Sequence, residues 1–126
     1  MQPEDLKYSR SHEWVRADKG LATIGITDHA QSELGDIVFL ELPEVGATVI
    51  KDMMFGSIES VKTVSDLTSP VSGDVVEVNG DLVDAPEQVN EDPYHTGWMI
   101  IVKIEDPSEL DDLMSSEVYQ SFIMEH

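Results

Sequence analysis

The segment Glu59–Asp66, "ESVKTVSD", has a nearly palindromic pattern around the pair Lys62-Thr63. A valine, a serine and a carboxylate follow in that order on each side of the pair. Lys62 is the only Lys or Arg between Asp52 and Val102, in a chain whose formal net charge is −19. A short, half-apolar segment of this kind predicts a β-hairpin with Lys62 at its tip.

The predicted tip lacks the usual residues of a hairpin turn. Hairpin turns favour Gly, Asn or Asp because they need positive φ angles. The tip here has Val, Lys, Thr and Val, so we expect negative φ angles, as in a type I turn. Three of these four residues are β-branched, which makes the turn stiff. A stiff turn holds the residue at its apex outward and in a fixed place.

Two similar strings lie on either side of this hairpin. They are "GDIV" at Gly35–Val38 and "GDVV" at Gly73–Val76, with a weaker pair at Gly46–Val49 and Gly80–Val83. The gaps between the glycines differ, so the repeat is degenerate, and chance similarity is the alternative. A true repeat predicts two similar half-sandwiches related by an approximate two-fold axis, with Lys62 in the connection between them.

The rest of the chain reads as short strands followed by short helices. Alternating or β-branched runs predict strands at Leu21–Thr27, Asp36–Leu42, Ala47–Ile50, Phe55–Val61, Val75–Val78 and Gly97–Ile104. Between the last two, residues 79–97 are rich in Pro, Asn, Asp and Gly and predict an irregular connection with one short helical turn at most.

Three helices are expected. The first has Asp28 as N-cap, Gln31 as its capping-box partner and Gly35 as its stop. In the second helix, Asp106 and Glu109 predict a capping box at the start. We expect Ser115 or Ser116 to cap the third helix, whose Tyr119, Phe122 and Ile123 should face the core. Strands followed by helices indicate an antiparallel β-sandwich or partial barrel with peripheral helices.

Length and composition limit the class of protein. The 126 residues fit a single domain, 1–126, with a sandwich core at about 21–104 and C-terminal helices at about 107–124. No apolar run approaches the roughly 20 residues that span a bilayer, and the first ten residues resemble neither a signal nor a transit segment. We therefore expect a cytoplasmic protein, or a mitochondrial matrix protein if the source is eukaryotic.

Charge and cysteine content narrow the chemistry. A net charge of −19 disfavours nucleic acid and anionic membranes as partners and favours proteins with basic docking faces, although acidity that serves only solubility is the alternative. The absence of cysteine excludes disulfides, a thiolate nucleophile and Cys-based metal sites. The four histidines show no paired ligand spacing, so no metal site is expected, and no P-loop, GxGxxG or GxSxG motif is present.

Three roles remain open for Lys62 from the residues alone. It is a solvated charge at a hairpin tip, a Schiff-base or general-base lysine, or a lysine that another enzyme acylates with a cofactor. Chemistry by the free amine needs a lowered pKa, yet the nearest charges in sequence are Glu59 and Asp66, which favour the protonated form. Acylation needs a protruding residue, a rigid turn and recognition marks on both sides, and the segment has all three.

Several longer strings resemble the glycine cleavage system H protein family. They are "SHEW" (11–14), "GITDHAQSELGDIVFLELPEVG" (25–46), "FGSIESVKTVSD" (55–66), "SPVSGDVVEVN" (69–79), "PEQVNEDPYHTGWM" (86–99) and "SELDDLMSSEVYQSF" (108–122). The resemblance covers about Leu6 to Phe122. It implies a mainly β lipoyl/biotinyl-type hammerhead sandwich, a barrel-sandwich hybrid, with short peripheral helices that include two at the C-terminus.

The resemblance also implies a function without catalysis by the chain itself. Lipoic acid is attached to the lysine of the "ESVK" motif, here Lys62. The lipoyl arm accepts an aminomethyl group from glycine at the decarboxylase (P protein) and carries it to the aminomethyltransferase (T protein). Dihydrolipoamide dehydrogenase (L protein) then reoxidises the arm. A lipoate ligase or an octanoyl/lipoyl transferase attaches the cofactor, and a monomer is expected.

The family pattern assigns the residues around the lysine as well. Recognition for lipoylation is assigned to Glu59, Ser60, Val61, Thr63 and Asp66, although many family members have Ala where this chain has Thr63. A groove in which the loaded arm rests is assigned to Ser11, Glu13, Glu33 and Asp66, and some members have His at the position of Glu33. A carboxylate suits a protonated aminomethyl group because it forms a charge-assisted hydrogen bond.

Two other roles fit the same lysine. One is a relay that passes an octanoyl or lipoyl group on to other lipoyl domains. The other is an unmodified binding module that has kept the fold and lost the cofactor. The intact "ESVK" segment argues against the second, because drift is expected to erase recognition marks that serve no purpose.

Overall fold

The computed structural model describes residues 5–125 and contains nine strands, four α-helices and one 3-10 helix in that range. The strands are β1 (Lys7–Tyr8), β2 (Glu13–Asp18), β3 (Leu21–Ile26), β4 (Ile37–Glu41), β5 (Thr48–Val49), β6 (Met54–Ser60), β7 (Val64–Thr68), β8 (Gly73–Val78) and β9 (Ile100–Ile104). The helices are α1 (Asp28–Leu34), α2 (Gly80–Asp84), α3 (Gln88–Glu91), the 3-10 helix (Pro107–Asp112) and α4 (Ser116–Glu125).

The strands form two antiparallel sheets. One has six strands in the order β1-β2-β3-β9-β8-β5, and the other has three in the order β4-β6-β7. The expected mainly β fold with short peripheral helices is therefore confirmed. The two strings of the proposed repeat open β4 and β8, which lie in different sheets.

The main core lies between the two sheets because alternate residues of their strands point inward. Ala22 and Ile24 of β3 are fully buried there with Val75 of β8, and Ile58 and Leu67 do the same from the smaller sheet. Burying one such aliphatic side chain contributes about 1.5–3 kcal/mol. This core fixes which residues of β6 and β7 face outward beside Lys62.

A second, aromatic cluster covers the other face of the six-stranded sheet. Trp14 is fully buried in this cluster with Tyr8 and Tyr119, and its indole N–H donates to the carbonyl of Pro93 at 2.9 Å. A β-carbon on Gly25, the partner of Trp14 across β2 and β3, would lie 2.7 Å from the indole ring. Glycine therefore leaves the space that the indole fills.

Sequence reasoning was wrong about several elements. The six-stranded sheet begins at Lys7, well before residue 21, because β1 pairs with β2 and β2 pairs with the predicted strand β3. The segment after β8 contains two short helices, α2 and α3, where one turn was predicted. The side chain of Asn79 caps α2 by accepting from the N–H of Leu82 at 3.3 Å.

One predicted cap and one predicted capping box were also wrong. Thr27, not Asp28, is the N-cap of α1, and its hydroxyl accepts from the N–H of Ala30 at 3.1 Å. Asp106 does cap the 3-10 helix, but Glu109 forms no capping box, because its carboxylate accepts from the N–H and hydroxyl of Ser72. Gly35 ends α1 with φ 84°, and Ser115 caps α4 through the N–H of Val118, both as predicted.

Candidate functional site

Lys62 lies at the tip of the hairpin formed by β6 and β7. The N–H of Ser60 donates to the carbonyl of Thr63 at 2.8 Å, which closes the turn. The hydroxyl of Ser60 accepts from the N–H groups of Lys62 and Thr63, each at 3.2 Å. No residue from Val61 to Thr63 has a positive φ, so the expected negative-φ turn is confirmed.

The tip is also tied to the neighbouring strand. The N–H of Val61 donates to the carbonyl of Asp36 at 3.0 Å, just before β4 begins. Asn90 of α3 holds the same junction, accepting from the N–H of Ile37 and donating to the carbonyl of Gly35, each at 2.9 Å. The lysine therefore projects from a braced turn.

The side chain of Lys62 is exposed and lies over the end of α1. Its Nζ is 3.5 Å from the carbonyl oxygen of Glu33, an acceptor at the end of that helix. A β-carbon on Gly35 would lie 2.9 Å from the Cε of Lys62. The exposed lysine side chain can move away from such a contact, so the requirement for glycine at position 35 comes from its positive φ.

Beside the hairpin lies a cleft of about 420 Å³. All four residues predicted for an arm-resting groove line it, namely Ser11, Glu13, Glu33 and Asp66. We call this the acidic cleft, because three of these four carry carboxylates. Its remaining lining is largely apolar, with Leu34 from α1, Ile58 and Leu67 from the three-stranded sheet, and Phe122 and Ile123 from α4.

Glu13 is the buried carboxylate of the acidic cleft, with a relative exposure of 2%. Its Oε1 accepts from the hydroxyls of Ser9, at 2.7 Å, and Ser11, and its Oε2 accepts from the N–H of Thr68 at 3.4 Å. Burial raises the pKa of Glu13 from 4.5 to about 7, although these hydrogen bonds oppose the change. Glu13 therefore titrates near neutral pH.

A hydrogen-bond chain that the sequence did not predict connects α4 to the cleft. The buried hydroxyl of Tyr119 lies 2.8 Å from Nδ1 of His12 and 2.7 Å from Oγ1 of Thr27. His12 lines the cleft and lies near His29, with their ring centroids 5.0 Å apart. The spacing in sequence gave no signal for this chain, because it joins residues from opposite ends of the protein.

The predicted recognition residues divide into two groups around the lysine. Val61 and Thr63 flank it on the exposed tip, while the buried Ser60 supports the turn from below. Glu59 and Asp66 are exposed on the two strands that lead to and from the tip.

Ser60→Ala should loosen the turn because it removes the acceptor shared by two backbone N–H groups. We expect the free energy of unfolding to fall by about 1 kcal/mol, and the rate at which an acylating enzyme modifies Lys62 to fall as well. Urea denaturation and an acylation time course measure the two effects. Ser121→Ala, at an exposed serine of α4 outside the hairpin, is the control. Equal acylation rates for the two variants would show that the hydroxyl does not organise the tip.

Within residues 5–125, no group of three or more His, Asp or Glu side chains is arranged to hold a metal ion. Over the same residues, no helix is long and apolar enough to cross a membrane. His126 lies outside the described residues.

Comparison with known proteins identifies the family of this chain. Residues 6–126 match the family model described as glycine cleavage H-protein. The chain is 59% identical to the glycine cleavage system H protein of Brevibacillus brevis, and the alignment covers 98% of this chain and 98% of the relative. It is 58% identical to the glycine cleavage system H protein of Bacillus subtilis, and that alignment covers 98% of this chain and 97% of the relative. The crystal structure of a glycine cleavage system H protein from Mycobacterium marinum superposes with a TM-score of 0.89 at 40% identity, covering 94% of this chain and 96% of that one. This chain therefore belongs to the glycine cleavage H-protein family.

Proposed function

We propose that this protein is the lipoyl-carrying shuttle of a glycine cleavage system, with the lipoyl group on Lys62. The observation that carries the proposal is an exposed lysine on a braced hairpin tip directly beside an acidic cleft. When attached, the lipoyl group supplies a disulfide that accepts the aminomethyl group and is afterwards restored by oxidation. The chain supplies the lysine to which this group is attached and a cleft that can enclose the aminomethyl group.

The lining of the acidic cleft fits such an arm. Leu34, Ile58 and Leu67 offer apolar contacts to a hydrocarbon chain, and Glu13 and Asp66 offer acceptors to a protonated amine. Ser9 and Ser11 hold the Glu13 carboxylate in place by donating to it. We propose that these residues hold the aminomethyl end and limit its exposure to water.

Glu33 marks a difference from the family members that have His at this position. It is exposed at the rim of the cleft, with its backbone carbonyl facing Lys62. A carboxylate there adds negative charge at the mouth, so we propose that Glu33 attracts the protonated arm toward the cleft rather than contacting it inside.

The family implies glycine decarboxylase, aminomethyltransferase and dihydrolipoamide dehydrogenase as partners. We propose a lipoate ligase or octanoyl/lipoyl transferase as the enzyme that modifies Lys62. We further propose that the protein is located in the cytoplasm, which the bacterial origin of its relatives favours. We also propose that it is a monomer. One tethered arm serving three enzymes benefits from a high effective concentration at each of them.

Intact-mass spectrometry of the protein from its native host tests the proposal, with peptide fragmentation across Phe55–Val71. The expected result is a single lipoyl increment located on Lys62. An unmodified Lys62, in cells that lipoylate their other carrier proteins, would contradict the proposal and favour a binding module without cofactor.

A further inference from the structure

An apolar patch surrounds the hairpin tip on the outer face of the three-stranded sheet. Phe39 of β4 pairs with Glu59 of β6, which pairs with Val64 of β7, so the three side chains form one row across the sheet. Phe39 is 50% exposed and Val64 is 64% exposed. The exposed Val38, at the bulge of β4, and the exposed Val61, in the turn, lie next to this row in sequence, and the five residues together are called the hairpin patch.

The hairpin patch contributes little to the core. The inward positions of the same strands are already filled by buried residues such as Leu40, Ile58 and Leu67. An exposed phenylalanine beside three exposed valines exceeds the scattered apolar residues that any surface carries, and such patches commonly mark contact sites. Phe39 is also outside the "ESVK" segment to which recognition was assigned.

The position of the hairpin patch connects it to both parts of the proposed site. Val61 and Val64 lie within two residues of Lys62 along the chain. On the same face, the next row of the sheet is Glu41, Ser57 and Asp66, and Asp66 lines the acidic cleft. A protein bound over this face therefore encloses the lysine and reaches the rim of the cleft.

The chemistry of attachment identifies the partner. Enzymes that use a lipoyl arm meet its far end, whereas the enzyme that attaches it must bring its active site to the Nζ of Lys62. That step forms an amide bond between Nζ and the acyl carbon, breaks the acyl–phosphate bond of an acyl adenylate, and releases AMP and protons from the ammonium. Contacts within a few residues of the tip are thus unavoidable for the attaching enzyme.

Charge around the hairpin patch defines the complementary surface. Glu59 lies within the row, and Glu41 and Asp66 lie in the next row. The three strands β4, β6 and β7 carry no Lys or Arg. A partner that fits has an apolar pocket for Phe39 and Val64 with Arg or Lys side chains at its rim.

We propose that the hairpin patch is the docking surface for the lipoate-attaching enzyme, with Phe39 as its anchor. The proposal rests on the proposed function of Lys62 and extends recognition from the hairpin to the neighbouring strand β4. Aromatic side chains at the centre of an interface commonly carry much of the binding energy.

Phe39→Ser and Val64→Ser test the proposal with a purified lipoate ligase, ATP and lipoate. We expect kcat/KM for acylation of Lys62 to fall about ten-fold or more in Phe39→Ser, mainly through a higher KM. Lipoyl-adenylate formation in the absence of the carrier should be unchanged. Prolonged incubation should still acylate Lys62 completely, because the lysine itself is intact.

The matched control is Val76→Ser, an exposed valine on β8 in the other sheet. It should leave kcat/KM at the wild-type value, and thermal unfolding confirms that all variants are folded. A wild-type kcat/KM for folded Phe39→Ser would overturn the docking proposal alone. Failure of the wild-type protein to be acylated at Lys62 would instead overturn the proposed function.

Discussion

Lys62→Arg should give a folded protein that gains no acyl mass and supports no glycine–bicarbonate exchange with the decarboxylase. The guanidinium stays protonated under all working conditions, so it has no lone pair with which to attack an acyl donor. The fold should survive because the Lys62 side chain is exposed and its Nζ is 3.5 Å from the one acceptor described for it. Retained exchange in the variant would exclude Lys62 as the carrier residue.

Lys103→Arg is the matched control for this experiment. Lys103 is also exposed, but it lies on β9 of the six-stranded sheet. This variant should be acylated at the wild-type rate and should support full exchange. Exchange by the acylated wild-type protein also separates the shuttle role from a pure relay, since a relay need not serve the decarboxylase.

Glu13→Gln should flatten the dependence of stability on pH. Because the folded protein raises the pKa of Glu13 from 4.5 to about 7, it binds more protons than the unfolded chain between those values. The free energy of unfolding of the wild-type protein therefore loses about 3 kcal/mol through this residue as the pH rises across the window. Glutamine does not titrate, so the variant lacks this contribution.

Urea denaturation at a series of pH values from 4 to 8 measures the effect as a difference in slope. The other carboxylates add a slope of their own, so Glu33→Gln, at the exposed rim of the same cleft, serves as the control. The slope of Glu13→Gln is compared with the slopes of Glu33→Gln and of the wild-type protein. Identical slopes for Glu13→Gln and the wild-type protein would show that Glu13 ionises normally in the folded state.

The same substitution bears on the proposed shelter for the loaded arm. Removing the charge of Glu13 would remove the proposed charge-assisted hydrogen bond to an aminomethyl ammonium, so the loaded arm should lose its aminomethyl group to water sooner. Aminomethyl release from loaded protein at pH 8, where Glu13 is mostly ionised, gives the largest contrast between the two proteins. An unchanged release rate would remove Glu13 from the shelter.

Local sequence patterns predicted those elements of the fold whose own residues favour the observed conformation. The β-branched alternation of Leu21–Ile26 was enough to predict β3, and the residues of the tip were enough to predict a turn with negative φ angles. β2 was missed because its first three residues, Glu13–Val15, are all buried, with Trp14 in the aromatic cluster and Val15 in the main core. Alternation between apolar and polar residues vanishes when both faces of a strand are covered.

The site was predictable only where it is contiguous in sequence. Lys62 and its flanking residues form one hairpin, so the segment alone pointed to them. The resemblance supplied Ser11, Glu13, Glu33 and Asp66, and the structure brings them to one cleft. Tyr119 was expected to face the core, but its hydroxyl bonds to His12 and Thr27 depend on the docking of α4.

The hairpin that carries Lys62 and the acidic cleft also differ in how far apart their residues lie along the chain. The sheet that carries Lys62 is assembled from residues 37–68, whereas the acidic cleft is closed by α4 near the carboxyl terminus. Contacts of short range form faster than those of long range, and a chain made from its amino end presents the early residues first. The pairing of β4, β6 and β7 can therefore form before the cleft closes, although Asn90 of α3 adds its support to the tip later. The contacts that position Lys62 therefore depend mostly on neighbouring segments of the chain, whereas the cleft depends on the docking of α4.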